Sequence, residues 1–283
     1  MAYVDAHVHF WDDGIEHGWL DGEPALPSRA TLADYRDTTV DDPPSRFLFV
    51  EADADEGMGA AEARWVADMC GGEADFAGMV VWAPVQAGGA AVARHLDELG
   101  LDGIVGIRRL VQGEAAGFAR SAGFVDGVRA VGAADLVFDI CITANQFADA
   151  IALARAAPDT RLVLDHCGKP PIATGQLADW RRDLAALAAS ENVTCKLSGL
   201  VTEADPQRWS EDELAPVLDH ALECFGAERI LWGSDWPVVE RAATHRSWRD
   251  ATDILLAPLS DDERDTIRRT TALRIYDLED DTP

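Results

Sequence analysis

The stretch RFLFVEA, residues Arg46 to Ala52, sets four consecutive apolar residues between an arginine and a glutamate. A strand with one wet face alternates apolar and polar residues, whereas a strand covered on both faces reads as a continuous apolar run. This segment therefore predicts a parallel strand with other layers above and below it. Seven more runs read the same way: AYVDAHVHF (2–10), AGMVVWAPV (77–85), GIVGIRRL (103–110), DLVFDIC (135–141), TRLVLDHC (160–167), VTCKLSG (193–199) and RILWGSD (229–235).

The intervals carry helical spacing of apolar residues at 60–70, 90–99, 124–134, 146–157, 177–190 and 211–225. Several begin with Asp or Glu, which suits the positive end of the helix dipole. Eight strands alternating with helices predict an α/β fold, a (β/α)8 TIM-type barrel forming one domain over residues 1–283. A doubly wound open sheet is the alternative. The first interval differs: residues 11–45 hold four prolines (Pro24, Pro27, Pro43, Pro44) and many acids. That reads as an extended loop after the first strand, with a short helix at 28–38, able to cover the barrel mouth. The tail LEDDTP (278–283) is expected to fray.

The 283 residues carry 51 Asp and Glu against 24 Lys and Arg, a net charge of −27. Only Lys169 and Lys196 are lysine. An acid excess with almost no lysine points to a cytoplasm of high salt, where charge repulsion is screened; a high-GC genome is the alternative source of such a bias. A nucleic-acid partner is disfavoured because no basic patch exists to displace counterions. The five cysteines show no CxxC spacing, as expected of reduced thiols in an intracellular protein. No signal peptide or membrane-length apolar run is evident, so the expectation is a cytoplasmic protein.

In a barrel the active site lies at the C-terminal ends of the strands. Those positions hold His7 and His9, Glu51, Arg108, Asp139, His166, Lys196 and Asp235. Each alone has a structural reading: a hydrogen-bonded histidine, or an aspartate shaping the GSDWP turn. Polar groups are costly beside apolar runs unless paired or employed, and eight of them directed at one barrel face point to a site. Residues i and i+2 of a strand project to the same side, so His7 and His9 act together. With His166 and Asp235 they can coordinate a zinc-like ion tetrahedrally or orient a water with Asp235 as general base. In a chain that avoids lysine, the two survivors sit at strand ends, where a compact ammonium has binding or supporting uses. Lys169, before Pro170 and Pro171, either joins the site or steadies its loop. Trp11 and Trp236 adjoin these residues and would either stack on a sugar ring or pack at the rim, and Trp82 is expected to pack.

DAHVHFWD (5–12), GIRRL (106–110), LDHCGKP (164–170), CKLSGLVTEA (195–204), ILWGSDWPV (230–238) and RIYDL (274–278) resemble the amidohydrolase superfamily. Within it they are similar to the sugar-lactonase branch that includes L-fuconolactonase, L-rhamnonolactonase and 2-pyrone-4,6-dicarboxylate lactonase. The likeness spans almost the whole chain, and 267–278 resembles the family's final helix. It implies a hydrolase that opens a sugar-acid (aldono) lactone. Asp235 would accept a proton from water, and His7, His9 and His166 would polarise the carbonyl, directly or through an ion. Arg108 would hold substrate oxygens, with Lys196, Trp11, Trp236 and Glu51 as further binding candidates. Metal-rich members place a lysine or glutamate on the fourth strand and a histidine on the fifth, whereas this chain has Arg108 and Asp139 or Cys141. That disfavours a two-metal centre. It leaves one divalent ion, zinc the best match, on His7, His9 and Asp235 with His166 nearby, or no metal, and no organic cofactor.

The rival within the superfamily is a metal-dependent carboxy-lyase, whose motifs lack LDHxGKP and KLSGL. Two further rivals are hydrolysis of a pyrone dicarboxylate lactone and a barrel that only binds a sugar-derived ligand. The expected partners are a small-molecule lactone and, in a homo-oligomer, further copies of the chain; nucleic acid and membrane are not expected.

Overall fold

The computed structural model describes residues 2–279, so part of the tail expected to fray lies outside the described residues. Eight strands form one parallel sheet in sequential order: β1 (Val4–Val8), β2 (Arg46–Val50), β3 (Phe76–Trp82), β4 (Ile104–Arg108), β5 (Val137–Ile140), β6 (Leu162–Leu164), β7 (Val193–Leu197) and β8 (Ile230–Trp232). The ring closes beyond the short β8, where Val8 bridges Trp236 in parallel. His9 N donates to Trp236 O at 2.7 Å and Asp235 N to His7 O at 2.8 Å. This is a (β/α)8 barrel, and the closure excludes an open sheet.

Both faces of each strand are buried, for different reasons. Along β2, Phe47 and Phe49 pack outward under the helices, while Leu48 and Val50 pack inside the barrel with Val80, Val137, Val163 and Leu231. The helices are α1 (Leu32–Thr38), α2 (Gly59–Cys70), α3 (Gly89–Leu99), α4 (Ala122–Ala133), α5 (Phe147–Ala156), α6 (Ala178–Ala188), α7 (Glu211–Phe225) and α8 (His245–Leu256). The capping box of Ser210 with Glu213 opens α7, and three acids in its first turn suit the dipole. None of the helices is long and apolar enough to cross a membrane, among the described residues.

Two segments close the barrel ends. At the N-terminal end, the chain after α8 runs through a π turn (Thr266–Thr270) into a short helix (Thr271–Ile275). Ala272, Leu273, Ile275 and Tyr276 plug the apolar floor of the barrel. At the opposite mouth, the long loop after β1 crosses the opening. Trp19 donates to Ala52 O at 2.8 Å, and Gly18 N to Asp55 at 2.8 Å. Within that loop Trp11 bridges Ala30 before α1 begins.

Candidate active site

Inward positions repeat every second residue along a strand. On β5 and β6 the inward Val137 and Val163 are followed two residues later by Asp139 and Asp165, and on β7 Lys196 turns in beside them. The apolar floor thus gives way abruptly to a charged layer. Lys196 Nζ lies 2.6 Å from Asp139 and 2.9 Å from Asp165, all three fully buried. Tyr276 donates to Asp139 at 2.8 Å from the floor plug below. Burial alone would lower the Lys196 pKa, but Asp139 and Asp165 outweigh it and raise it. Burial pushes Asp139 up to about 6, against the opposing pull of Lys196.

The histidines rest on this layer. The register of β1 shifts against β2 between Asp5 and Val8, which lets Ala6 pack in the floor while His7 also turns inward. His7 Nδ1 sits between Lys196 Nζ at 3.1 Å and Asp165 at 3.4 Å. Burial, reinforced by the Lys196 ammonium, holds the His7 pKa well below its ordinary value. His9 donates from Nδ1 to Val50 O at 2.8 Å, which leaves the Nε2 lone pair facing the site. His166 follows β6 on a left-handed turn in which His166, Cys167 and Lys169 have φ of 53°, 51° and 53°. Such a run of non-glycine residues is costly and typical of sites that must aim a side chain. Burial lowers the His166 pKa to about 4, so its ring is neutral, and Nδ1 lies 2.9 Å from Ser198 Oγ.

Asp235 faces all three rings. Its Oδ1 lies 3.4 Å from His9 and 3.6 Å from His7, and its Oδ2 lies 4.0 Å from His166. Burial alone would raise its carboxyl, but His166, His9 and His7 together hold it well below the usual carboxylate range. Asp5 anchors the turn behind it: Ser234 N donates to Asp5 at 2.7 Å, and Tyr35 donates to the other oxygen at 2.8 Å. Gly199, at φ 62°, is required here. A Cβ on it would lie 2.7 Å from the His166 ring and 3.2 Å from Asp235.

The donor set fits one metal ion. His7 Nε2, His9 Nε2 and Asp235 Oδ1 make a triangle with sides of 3.1, 3.4 and 3.6 Å. Donors bonded to a tetrahedral zinc at 2.0–2.1 Å lie roughly 3.3–3.4 Å from one another. His7, His166 and Asp235 form an overlapping set of buried ligand atoms. The Arg108 guanidinium lies 3.3 Å from His7 Nε2, beside this one donor triangle.

Above these residues opens a cleft of about 270 Å³ lined by His9, His166, Asp235 and Arg108, and by Trp19, Gln112, Lys169, Glu203 and Arg241 among others. Arg241 pairs with Glu23 at 3.0 Å, tying the loop after β8 to the loop after β1 across the mouth.

The strand-end residues His7, His9, His166, Asp235 and Arg108 therefore come together. Four other binding candidates are set apart from the cleft. Lys196 is fully buried beneath His7. Glu51 is buried and holds Arg108 through a 2.6 Å ion pair, with Asp165 on its other side at 3.2 Å. Trp11 is buried in the loop, donating to Pro27 O at 3.0 Å, and Trp236 packs on Phe10 and Tyr35 and donates to Glu240 at 3.0 Å. These correct the expectation of substrate contact: both indoles are buried, with their N–H groups bonded to protein partners, and neither lines the cleft. Sequence reasoning passed over Asp165, although its place two residues after Val163 marks it as inward. It also passed over Tyr276, Trp19, Glu23, Gln112, Glu203 and Arg241, which lie on loops or the chain end and carry no strand-end signal.

Three converging imidazoles and a carboxylate held below its usual range on one mouth of a (β/α)8 barrel define a hydrolase-type centre able to hold one divalent ion. The amidohydrolase family model matches residues 4–278, and the chain belongs to the amidohydrolase family. It is 31% identical to an L-fucono-1,5-lactonase of Burkholderia multivorans, over 97% of this chain and 96% of that one. It is 32% identical to an L-fucono-1,5-lactonase of Burkholderia ambifaria, over 86% of this chain and 82% of the relative. A crystal structure of an amidohydrolase from Burkholderia multivorans with bound zinc superposes with a TM-score of 0.91 at 31% identity, covering 99% of this chain and 100% of that one.

Proposed function

We propose that this chain hydrolyses a sugar-acid lactone to the open acid, with Asp235 as general base. The observation that carries the reading is the Asp235 carboxylate itself, buried at the cleft floor with one oxygen toward His7 and His9 and the other toward His166. The lactonase relatives support the substrate class.

Water attacks the lactone carbonyl and loses a proton to Asp235. With Ser198 donating to Nδ1 across their 2.9 Å contact, His166 would carry its proton on Nε2 and donate it to the oxygen on which charge develops, and such preorganised donors are a major part of acyl-transfer catalysis. The ring C–O bond then breaks, and the leaving alkoxide takes the proton from Asp235. Arg108 is held rigid by Glu51 and Asp165, and its cleft side presents a fixed donor to substrate oxygens. His7, His9 and Asp235 would hold a zinc-type ion, which when bound supplies Lewis acidity at the carbonyl.

The test is a pH-indicator assay on a panel of six-carbon aldono-1,4- and 1,5-lactones, L-fuconolactone included, with 2-pyrone-4,6-dicarboxylate as comparison. Acid release well above the spontaneous rate is expected for at least one aldonolactone. No turnover of any lactone, or proton uptake with loss of carbon dioxide from an aromatic acid, overturns the assignment.

A further inference from the structure

We propose that Glu203 is the specificity-determining residue of the cleft, its carboxylate accepting hydrogen bonds from adjacent hydroxyl groups of a neutral polyhydroxylated lactone. This rests on the lactonase reading and names what that site recognises away from the reacting carbonyl.

Most of the charge lining the cleft is already paired. Three cations line it, and two are already satisfied by carboxylates: Arg108 by Glu51 and Asp165, and Arg241 by Glu23. Lys169 is bonded to the neutral amide of Gln112. Among the acids, Glu203 and Asp53 line the same cleft with no side-chain or backbone partner on their carboxylates among the described residues. Glu203 closes a short turn after β7 (Val201–Glu203), fixed by Thr202 donating to Gly199 O at 2.8 Å. It is half-buried, and its carboxyl is raised above its ordinary value by burial and by the facing Asp235, with Lys169 and Arg241 pulling the other way.

A partly desolvated carboxylate lining a cleft is stabilised by O–H donors and repelled by anions. The Lys169 ammonium, which lines the same cleft, supplies the complementary donor. Together Glu203 and Lys169 match a pair of neighbouring hydroxyls, which both donate and accept. They mismatch a substrate bearing further carboxylates, because Arg108 and Arg241 are already paired and Glu203 faces the incoming charge. Discrimination by such a group is strong, since a substrate lacking the hydroxyl leaves the carboxylate unpaired.

The experiment compares wild type with Glu203→Gln and Glu203→Ala on three substrates: an aldonolactone, the hydroxyl-free δ-valerolactone, and a monolactone of a sugar dicarboxylic acid. In both variants the kcat/KM ratio of aldonolactone to valerolactone is expected to fall tenfold to a hundredfold, the size of one lost charge-assisted hydrogen bond. The loss should lie mainly in KM, and the dicarboxylic lactone should gain relative to the aldonolactone. Ratios within twofold of wild type overturn the proposal. Calorimetric binding of a six-carbon alditol, which contains no lactone, separates this from a failure of the lactonase reading. Tenfold weaker alditol binding in Glu203→Gln, with an unaltered melting temperature, upholds the hydroxyl contact even if wild type opens no lactone. Equal alditol affinity in both proteins overturns it.

Discussion

The backbone N–H of Asp235 donates to the carbonyl of His7 at 2.8 Å. One hydrogen bond thus helps to close the barrel between its first and last strands and sets the proposed general base against the first histidine. Distortion of that seam moves both groups at once, so the chemistry depends on ring closure as well as on side-chain identity.

Asp235→Asn is the most direct probe of the base. The amide keeps the shape but accepts no proton, so kcat should fall by about 10²–10⁴, with the circular dichroism spectrum retained. Near-native turnover in a folded variant would remove Asp235 from that role.

The pH dependence follows from the same electrostatics. Asp235 must be ionised to act, and its carboxyl is held below the usual range, so acidification reaches it late. His166, at about 4, is likewise neutral above pH 5. The expected kcat/KM profile is flat from pH 7.5 down to pH 5, measured after subtracting spontaneous hydrolysis. A limb centred near 6 would point to a different titrating base.

Metal binding gives a prediction with its own readout. Protein stripped with a chelator and dialysed against zinc should retain one equivalent by elemental analysis. His9→Ala removes one corner of the donor triangle and should weaken zinc affinity at least tenfold in competition with a chromogenic chelator. Two equivalents in wild type would contradict a centre built on one donor triangle.

Lys196→Met tests the charged layer. It leaves Asp139 and Asp165 buried without their cation, and breaking a buried pair in this way costs about 3–5 kcal/mol. Tyr276→Phe removes only the hydroxyl that donates to Asp139 and should cost about 1–2 kcal/mol. Urea unfolding distinguishes the two. Equal stability of Lys196→Met and wild type would show that the layer titrates to neutrality instead of holding charge.

The eight strands were legible because burial on both faces leaves a period-free apolar run, as in RFLFVEA, and the helices because their stripe repeats near 3.6 residues. His7, His9, His166 and Asp235 were legible because a barrel sends every strand's C-terminal end to one mouth, so polar residues in those places share a destination. Trp11 and Trp236 show the limit of that logic. Adjacency in sequence to a site residue does not decide whether an indole reaches the cleft, and both are buried with their N–H groups bonded within the protein.

By itself the sequence determined which segments are strands, that they run parallel, and which residue types crown them, since these follow from local periodicity and the cost of burying polar groups. Only the tertiary structure decided the partners. Lys196 under His7, Tyr276 reaching Asp139 from the far end of the chain, and Glu203 sharing a cleft with Lys169 all depend on distances between segments far apart in sequence. Charge pairing falls off within a few ångströms, and no local pattern encodes which distant groups will come that close.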